Sequence, residues 1–205
     1  MINLPLLTSK LRPCLIREYR HEDFDACVDL YRAHVPGTLP AQMLPHYEEF
    51  LRTGTSYLLV VDENDKITGT GSLTLQGDAN GAALAYGIVH PDAQRQGLGS
   101  SLLAARLSLV DPETWPARVV LETSPMAGDF FAQFGFQLFR THKGYEHQQG
   151  DDKAPQRLPY GQWHLTLSQE DVEAVRVALA ERGVEIHLDN ESLFAAEPEG
   201  EAANP

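Results

Sequence analysis

The sequence has few cysteines and no long hydrophobic run. Only two of the 205 residues are cysteines, Cys14 and Cys27. They fall in an expected strand and on the apolar face of an expected helix, so we interpret both as buried thiols rather than a disulfide or metal-binding pair. No segment approaches the roughly 20 apolar residues of a membrane-spanning helix, and the first residues lack the cationic start of a secretory signal. We therefore expect a cytoplasmic protein with no metal site and no membrane contact.

Basic residues are also scarce. Lys and Arg number 16 against 29 Asp and Glu, which gives a net charge of −13. This balance argues against nucleic-acid binding through a general basic surface. It favours a cationic substrate through long-range attraction, although the need for solubility accounts for it equally well. An anionic ligand needs only local positive charge, and the chain offers candidates at Arg95, Arg106, Arg140 and Lys143.

A glycine turn between a strand and a helix is the most informative segment of the chain. The apolar run 82–89 predicts a buried strand, and leucines at helical spacing predict a helix after the turn. Gly97 and Gly99 lie at the start of that helix, where amide groups lack intrahelical partners and the helix dipole favours negative charge. Because glycine has no Cβ, a ligand oxygen can approach the backbone closely. The segment therefore predicts a site for a phosphate-like anion.

Two motifs resemble those of a known family. The pattern Gln94-x-x-Gly97-x-Gly99, after a strand ending in Val-x-Pro, resembles the acetyl-CoA pyrophosphate loop of the GNAT N-acetyltransferases. Downstream, the segment Phe130-Phe131-Ala132-Gln133-Phe134-Gly135-Phe136 resembles the Leu-Tyr-Glu-Lys-Leu-Gly-Phe segment of that family. Between them, Val119-Val120-Leu121-Glu122 resembles the fifth strand of the family. The resemblance covers about residues 14 to 167.

The resemblance implies an α/β (α+β) fold, with a mixed, mostly antiparallel twisted sheet flanked by helices. We place this acetyltransferase domain at residues 11–167. Residues 168–190 are expected to add a C-terminal annex of one helix and one strand, which either covers a sheet edge or makes a homodimer contact. The polar segment 147–159 is expected to be a mobile loop between two late strands, and the acidic tail 195–205 to be disordered.

The resemblance also implies an enzyme that transfers an acetyl group from acetyl-CoA to a primary amine, of a small molecule or of a protein, by direct attack. The backbone of Gly87, Ile88 and Val89 is expected to pair with the pantetheine arm, and an amide near Ile88 to polarise the thioester carbonyl. Ser124 stands where the family often has an Asn that contacts the cofactor, and it serves equally well to end a strand before a proline. The residues expected around the pyrophosphate are Arg95, Gln96, Gly97, Leu98, Gly99 and Ser100.

The expected acid departs from the family pattern. Where many members have a Tyr that protonates the leaving thiolate, this chain has Phe131, which we also expect to contact the cofactor. Because a thiol has a pKa of about 8.5, a CoA thiolate leaves without help, and the missing phenol slows the reaction without abolishing it.

Glu122 and Tyr86 are the candidates for the general base. Glu122 lies on the expected fifth strand, although alternation along the strand turns its side chain to the face opposite Val119. Tyr86 lies on the strand that faces the cofactor. Positions where relatives carry Glu read here as Ala83 and Val119. Weaker alternatives are a water chain and the side chains of His90, Glu146 and His164.

Two other functions compete with this interpretation. The missing phenol also favours an acyl-CoA-binding regulatory or sensing module with weak catalysis. A generic nucleotide-binding α/β domain fits less well, because the chain lacks the Lys-Ser/Thr of a P-loop and the GxGxxG spacing of a dinucleotide fold. We expect the segment 32–55 and the loop 147–159 to determine which acceptor binds. Neither segment matches a specific pattern.

Overall fold

One eight-stranded sheet organises the chain. The computed structural model describes residues 1–35, 37–53, 57–75, 81–112, 118–147 and 156–188. The strands are Cys14–Glu18 (β1), Tyr57–Asp62 (β2), Ile67–Leu75 (β3), Ala82–Val89 (β4), Arg118–Thr123 (β5), Gln137–His147 (β6), Gln156–Thr166 (β7) and Val184–His187 (β8). The helices are Leu4–Lys10 (α1), Phe24–Arg32 (α2), Leu44–Thr53 (α3), Leu98–Ser108 (α4), Pro125–Ala132 (α5) and Gln169–Glu181 (α6).

The sheet is mixed and mostly antiparallel, as the sequence predicts. Its order is β6-β7-β5-β4-β3-β2-β1-β8. Parallel pairing occurs where β4 meets β5 and where β1 meets β8. The other described neighbours are antiparallel. None of the described helices is long and apolar enough to cross a membrane.

Both faces of the central strands are covered. In β2, Leu59 and Val61 enter the larger core, which α1, α4 and α6 complete, while Leu58 and Val60 enter a second core formed with α2 and α3. Each of these four residues is at most 7% exposed, and that explains why β2 reads as an unbroken apolar run. The sheet therefore separates a layer containing α4 from a layer containing α2 and α3.

A buried ion-pair network fixes the start of α2. Arg17 on β1 donates two hydrogen bonds to Asp23, at 2.7 and 2.9 Å, and one to Asp62 at 3.0 Å. Burial alone would raise the pKa of Asp23, but the bonds from Arg17 and from the Arg20 amide outweigh it, so this pKa lies below its usual value. The charge of Asp23 thus ties the beginning of α2 to the sheet.

The sheet splits between β4 and β5. These strands pair only from Ala82 to Leu84 on β4, opposite Val119 to Leu121 on β5. Beyond that point β4 continues beside β3 alone, and β5 continues beside β7. A wedge-shaped gap therefore opens toward the carboxyl end of β4.

Several local predictions were wrong at their boundaries. The sequence analysis did not predict α1, although Asn3 accepts a hydrogen bond from the Leu6 amide at its start. Of the expected loop 147–159, His147 ends β6 and residues 156–159 belong to β7, while residues 148–155 lie outside the described part of the chain. Glu146 is consequently a strand residue. The expected tail, 195–205, lies outside the described residues.

The C-terminal elements extend the sheet. Ser168 and Asp171 form a capping box at the start of α6, with reciprocal bonds of 3.1 and 2.9 Å. After α6, β8 pairs in parallel with β1 and so covers one side of that strand. The division into a domain and an annex, and a homodimer contact, stay predictions.

Both cysteines are free thiols, as expected. Cys27 is fully buried and Cys14 partly so. Burial raises the pKa of Cys27 to about 12 and that of Cys14 to about 11. Both thiols therefore stay protonated near neutral pH, and neither is suited to act as a nucleophile.

Candidate active site

Two cavities meet at the split between β4 and β5. The larger cavity, of about 620 Å³, extends from this split to the N-terminus of α4. The smaller cavity, of about 320 Å³, lies toward α2 and the segment before α3. Both are lined by Gly87, Arg106, Ala127 and Phe131, which we call the junction. A ligand in one cavity can therefore meet a ligand in the other at the junction.

The glycine turn forms one end of the larger cavity. Gly97 has a φ of +95°, and a Cβ there would lie 2.6 Å from the Lys10 carbonyl oxygen. The amides of Ser100 and Ser101 both donate to the Gly97 carbonyl at 3.0 Å. The amides of the two preceding residues, Leu98 and Gly99, lie in the first turn of α4 and therefore have no acceptor within the helix. The turn is therefore shaped as an anion site.

Two basic residues line the same cavity as these amides. Arg95 and Lys10 both line the larger cavity. Arg95 adopts a φ of +57°, which is uncommon for a residue with a side chain, so the loop holds it in a specific conformation. Sequence analysis missed Lys10, because its helix was not predicted. Arg140 and Lys143, the other cations considered, lie on β6 and not among the residues that line the larger cavity.

The predicted cofactor residues divide into two groups. Those that line the larger cavity are Gly87, Val89, Arg95, Gly97, Gly99, Ser100 and Phe131. The others turn their side chains elsewhere: Leu98 is fully buried in the larger core, and Ile88 is buried in the second core. Gln96 donates to the Asp92 carbonyl at 2.8 Å and accepts from Arg12. None of these three residues lines the larger cavity, although Ile88 lines the smaller one.

Ser124 caps a helix. Its hydroxyl accepts a hydrogen bond of 3.5 Å from the Ala127 amide at the start of α5. Ser124 thus lies directly after β5 and before Pro125, and its contact with the cofactor stays a prediction. Ala127, one turn later, is the residue of this segment that reaches the junction.

A β-bulge bends β4 at Tyr86. Thr70 pairs with Ile88 but Ser72 pairs with Ala85, so Gly71 faces two residues of β4. Tyr86 takes up the irregularity with a φ of +48°. Its ring packs on Tyr47 and Phe50, with centroids 4.9 and 4.7 Å apart. Bulges re-aim the groups next to them, and here the bulge directs Gly87 to the junction.

Aromatic side chains line much of the smaller cavity. Tyr31, Tyr86 and Tyr160 border it, and the Tyr31 ring stacks on Tyr47 at 5.2 Å. The Tyr31 hydroxyl donates to the Pro40 carbonyl at 2.9 Å. Burial raises the pKa of Tyr31 well above its usual value, so this phenol is neutral. The remaining lining includes Leu39, Met43, Leu84 and Leu121.

Glu122 is the one carboxylate among the described residues that line the smaller cavity. Val119 is fully buried in the larger core, and Glu122 has the opposite parity on β5 and is exposed. The split of the sheet nevertheless lets it border the cavity. Its Oε2 lies 3.3 Å from Nε2 of His142, a neighbour that sequence analysis did not identify. The weaker base candidates His90 and His164 are not among the cavity's lining residues.

Arg106 is the buried cation of the junction. It is 3% exposed on α4 and packs over the bulge, where a Cβ on Gly71 would lie 3.0 Å from its Cζ. Burial lowers the pKa of Arg106 to about 10, so it stays charged at neutral pH. The sequence showed it only as a possible source of positive charge, since helical spacing does not distinguish it from a surface arginine.

A metal site has no support in the described residues, which contain no group of three or more His, Cys, Asp or Glu able to hold an ion.

Comparison with known proteins places this geometry in a family. Residues 33–147 match the acetyltransferase (GNAT) domain. The ribosomal-protein-S18-alanine N-acetyltransferase of Escherichia coli has the same fold, at 20% identity over 75% of this chain and 94% of that one, with a TM-score of 0.59. A ribosomal-protein-alanine N-acetyltransferase from Brucella melitensis matches at 20% identity over 74% and 99%, with a TM-score of 0.55.

A third solved structure contains the expected ligand. It is an acetyltransferase from Salmonella typhimurium with its cofactor acetyl-CoA, 19% identical over 75% of this chain and 94% of that one, with a TM-score of 0.54. The family match itself spans more than half of the 205 residues. This chain therefore belongs to the GNAT family of acyl-CoA-dependent N-acyltransferases.

Proposed function

We propose that the protein transfers an acetyl group from acetyl-CoA to a primary amine by direct attack. The observation that carries this proposal is the meeting of two cavities at the split between β4 and β5, one ending at a helix N-terminus and the other lined by aromatic residues. Acetyl-CoA occupies the larger cavity and the amine the smaller one. The two reactants then meet at the junction, where the amine can attack the thioester carbon.

The larger cavity fits the donor. Its first-turn amides and the cations of Arg95 and Lys10 suit a pyrophosphate. A Cβ on Gly99 would meet Phe130 at 3.6 Å and Val89 at 3.9 Å, which are ordinary contact distances, so this position can be filled without disturbing the fold. The exposed backbone of β4 beyond Leu84 is left without a neighbour from β5, and it can pair with the pantetheine arm as an added strand does.

In the smaller cavity, Glu122 is the proposed base. It accepts a proton from the bound ammonium, directly or through a water, and the neutral amine then forms a C–N bond with the thioester carbon as the C–S bond breaks. As this bond forms, the amine nitrogen loses its second proton to solvent, and the departing thiolate takes up a proton from solvent, since Phe131 has none to give. Tyr86, the second candidate, is held by ring contacts beside the same cavity.

Binding and turnover test the proposal separately. Calorimetry should show one acetyl-CoA bound per chain, and a panel of amines should release free thiol from it. Binding without turnover across the panel would instead support the acyl-CoA-sensing module. No binding of acetyl-CoA or of free CoA would contradict both functions.

The base is tested by a pair of conservative variants. Glu122→Gln should lower kcat by about 100-fold, in the range typical of a lost general base, and flatten the acidic limb of the pH profile. Tyr86→Phe keeps the ring contacts and should change kcat by less than about twofold if Glu122 is the base. The reverse pattern would move the role to Tyr86.

The acceptor is proposed to be cationic. The net charge of −13 attracts ammonium groups over long range, and the names of the Escherichia coli and Brucella melitensis enzymes point to protein amino groups as one class to test. If this attraction matters, the KM of the acceptor should rise steeply with salt, because exposed charges are screened within about 8 Å at physiological ionic strength. A KM that is flat with salt would remove the charge argument.

A further inference from the structure

Arg106 is a buried charge that no described residue neutralises. Its Nε donates to the Leu102 carbonyl at 3.2 Å and its Nη1 to the Ser72 carbonyl at 3.4 Å. Both acceptors are neutral, and within the described part of the chain no carboxylate forms an ion pair with it. Burying a guanidinium without an anion is costly, so a fold that keeps one there gains from a ligand that supplies the missing charge.

The guanidinium borders the junction. A Cβ on Gly87 would lie 3.3 Å from Nη2 of Arg106, so this nitrogen packs directly against the bulge. Arg106 lines both cavities, and the surrounding side chains at the junction, Ala127 and Phe131, have no polar atoms. The carboxylate of the smaller cavity, Glu122, is near His142 instead. The N–H groups of Arg106 that do not bond to Leu102 and Ser72 therefore border the junction, where an oxygen atom of a ligand can accept their hydrogen bonds.

We propose that Arg106 binds the acyl group of the donor through an oxygen atom, and that the site accepts acyl-CoA thioesters whose acyl chain ends in a carboxylate. The inference rests on the proposed function, because it takes the donor to reach the junction. A guanidinium binds oxygens that carry negative charge. The thioester oxygen of acetyl-CoA carries part of a charge, whereas a terminal carboxylate carries a full one and completes the ion pair that the protein lacks.

The test compares donors that differ only at the acyl group. Calorimetry on the full chain measures the affinity of free CoA, acetyl-CoA, butyryl-CoA and succinyl-CoA. We expect succinyl-CoA to bind at least about 10-fold more tightly than butyryl-CoA, its uncharged analogue of equal chain length, as a charged hydrogen bond in a buried site provides. Equal affinities would overturn the carboxylate part of the proposal without the need for any variant.

Substitution of the residue separates binding from a structural role. Arg106→Met should weaken acetyl-CoA and succinyl-CoA while free CoA binds as before, and Arg106→Lys should keep part of the preference. Arg182→Met, which removes an exposed cation at the end of α6, is the matched control and should change none of the affinities. A larger loss for succinyl-CoA than for acetyl-CoA supports the pairing of Arg106 with the carboxylate. An equal loss for both thioesters overturns that pairing and leaves Arg106 bound to the thioester oxygen alone.

Two results would overturn the assignment of Arg106. The first is an equal loss of affinity for all ligands including free CoA, which indicates that Arg106 only supports the fold. The second is no loss for any thioester in a variant that melts cooperatively. If free CoA does not bind the wild-type chain at all, the proposed function fails first, so the two failures are distinguishable.

Discussion

The larger and smaller cavities are built in different ways. The larger one takes most of its shape from the end of β4 and the start of α4, which are adjacent in sequence, and it presents much backbone to a ligand. The smaller one is lined by side chains from α2, the segment before α3, β4, β5 and β7, which are scattered over the chain. A site made of one turn leaves a motif in the sequence, and a site made of distant side chains does not.

The larger and smaller cavities also differ in the packing that supports their walls. The helix behind the larger cavity is anchored by residues of the larger core, with Leu98, Leu102 and Leu103 at most 1% exposed. Part of the wall of the smaller cavity, including Tyr31 and Met43, belongs to the second core, and α2 begins at the Arg17–Asp23 ion pair. We therefore expect that removing one charge from the elements around the smaller cavity lowers the free energy of unfolding more than removing one from the elements around the larger cavity.

Among the predictions, the largest effect on stability is expected when the Arg17–Asp23 ion pair is broken. Asp23→Asn should lower the free energy of unfolding by about 3 kcal/mol, because it leaves part of the Arg17 charge unpaired in a buried position. Denaturant titration at neutral pH measures this value. The matched control is Asp29→Asn, since Asp29 is exposed in its contact with Arg32 and should cost little.

The pH dependence of stability follows from the same carboxylate. The folded pKa of Asp23 is lowered, so its contribution is complete above the unfolded value of about 3.9 and is lost as the pH falls through the folded pKa. The stability gap between the wild type and Asp23→Asn should therefore close in acid. A gap that stays constant down to pH 2 would contradict the ionic explanation.

On the cofactor side, Gly99→Val should weaken acetyl-CoA by at least about 100-fold, or about 2.7 kcal/mol, with little change in melting temperature. A side chain there meets Phe130 at an ordinary distance but fills the space beside the first-turn amides. Gly97→Val is a poorer test, because its φ of +95° and the nearby Lys10 carbonyl make it destabilise the fold as well. Unchanged affinity in a folded Gly99→Val protein would remove the pyrophosphate assignment.

On the acceptor side, Met43→Trp should raise the KM of the amine by about 10-fold and leave the affinity for acetyl-CoA unchanged, since the larger ring reduces a cavity of about 320 Å³. Val177→Trp, at an exposed position of α6, provides the control. If Met43→Trp weakened acetyl-CoA instead, the two cavities would not serve separate ligands.

The smallest expected effect is at the junction itself. Phe131→Tyr should raise kcat by a few-fold if protonation of the thiolate limits the rate, because it supplies the phenol that many relatives have. Affinity for acetyl-CoA should stay within about twofold. A lower kcat with normal binding would mean that the shape of Phe131, which packs edge-on against Phe130 and Phe136, matters more than the missing proton.

The difference between the cavities also explains what the sequence could predict. The strand, glycine turn and helix around Gly97 were predictable because local spacing and backbone conformation determine them. The cap at Ser168 was predictable for the same reason. In both cases, the residues that carry the sequence pattern lie within a few positions of the structure that they predict.

The features that were missed depend on long-range packing. Lys10 reaches the larger cavity because α1 packs against α4 and α6, contacts that no local pattern shows. His142 meets Glu122 because β6 and β5 are both neighbours of β7. Arg106 has the same helical spacing as a surface residue, and its burial follows only from the glycines opposite it at positions 71 and 87.

A structure of the protein with acetyl-CoA tests most directly whether two separate cavities deliver two reactants to one junction. We expect the pyrophosphate at the first-turn amides of α4, beside Gly97 and Gly99, and the thioester between Gly87 and Phe131 within reach of Arg106. The smaller cavity should stay open for the amine. Pantetheine bound along Tyr31 and Met43, with the turn at Gly97 unoccupied, would show that the cavities do not divide the two reactants in this way.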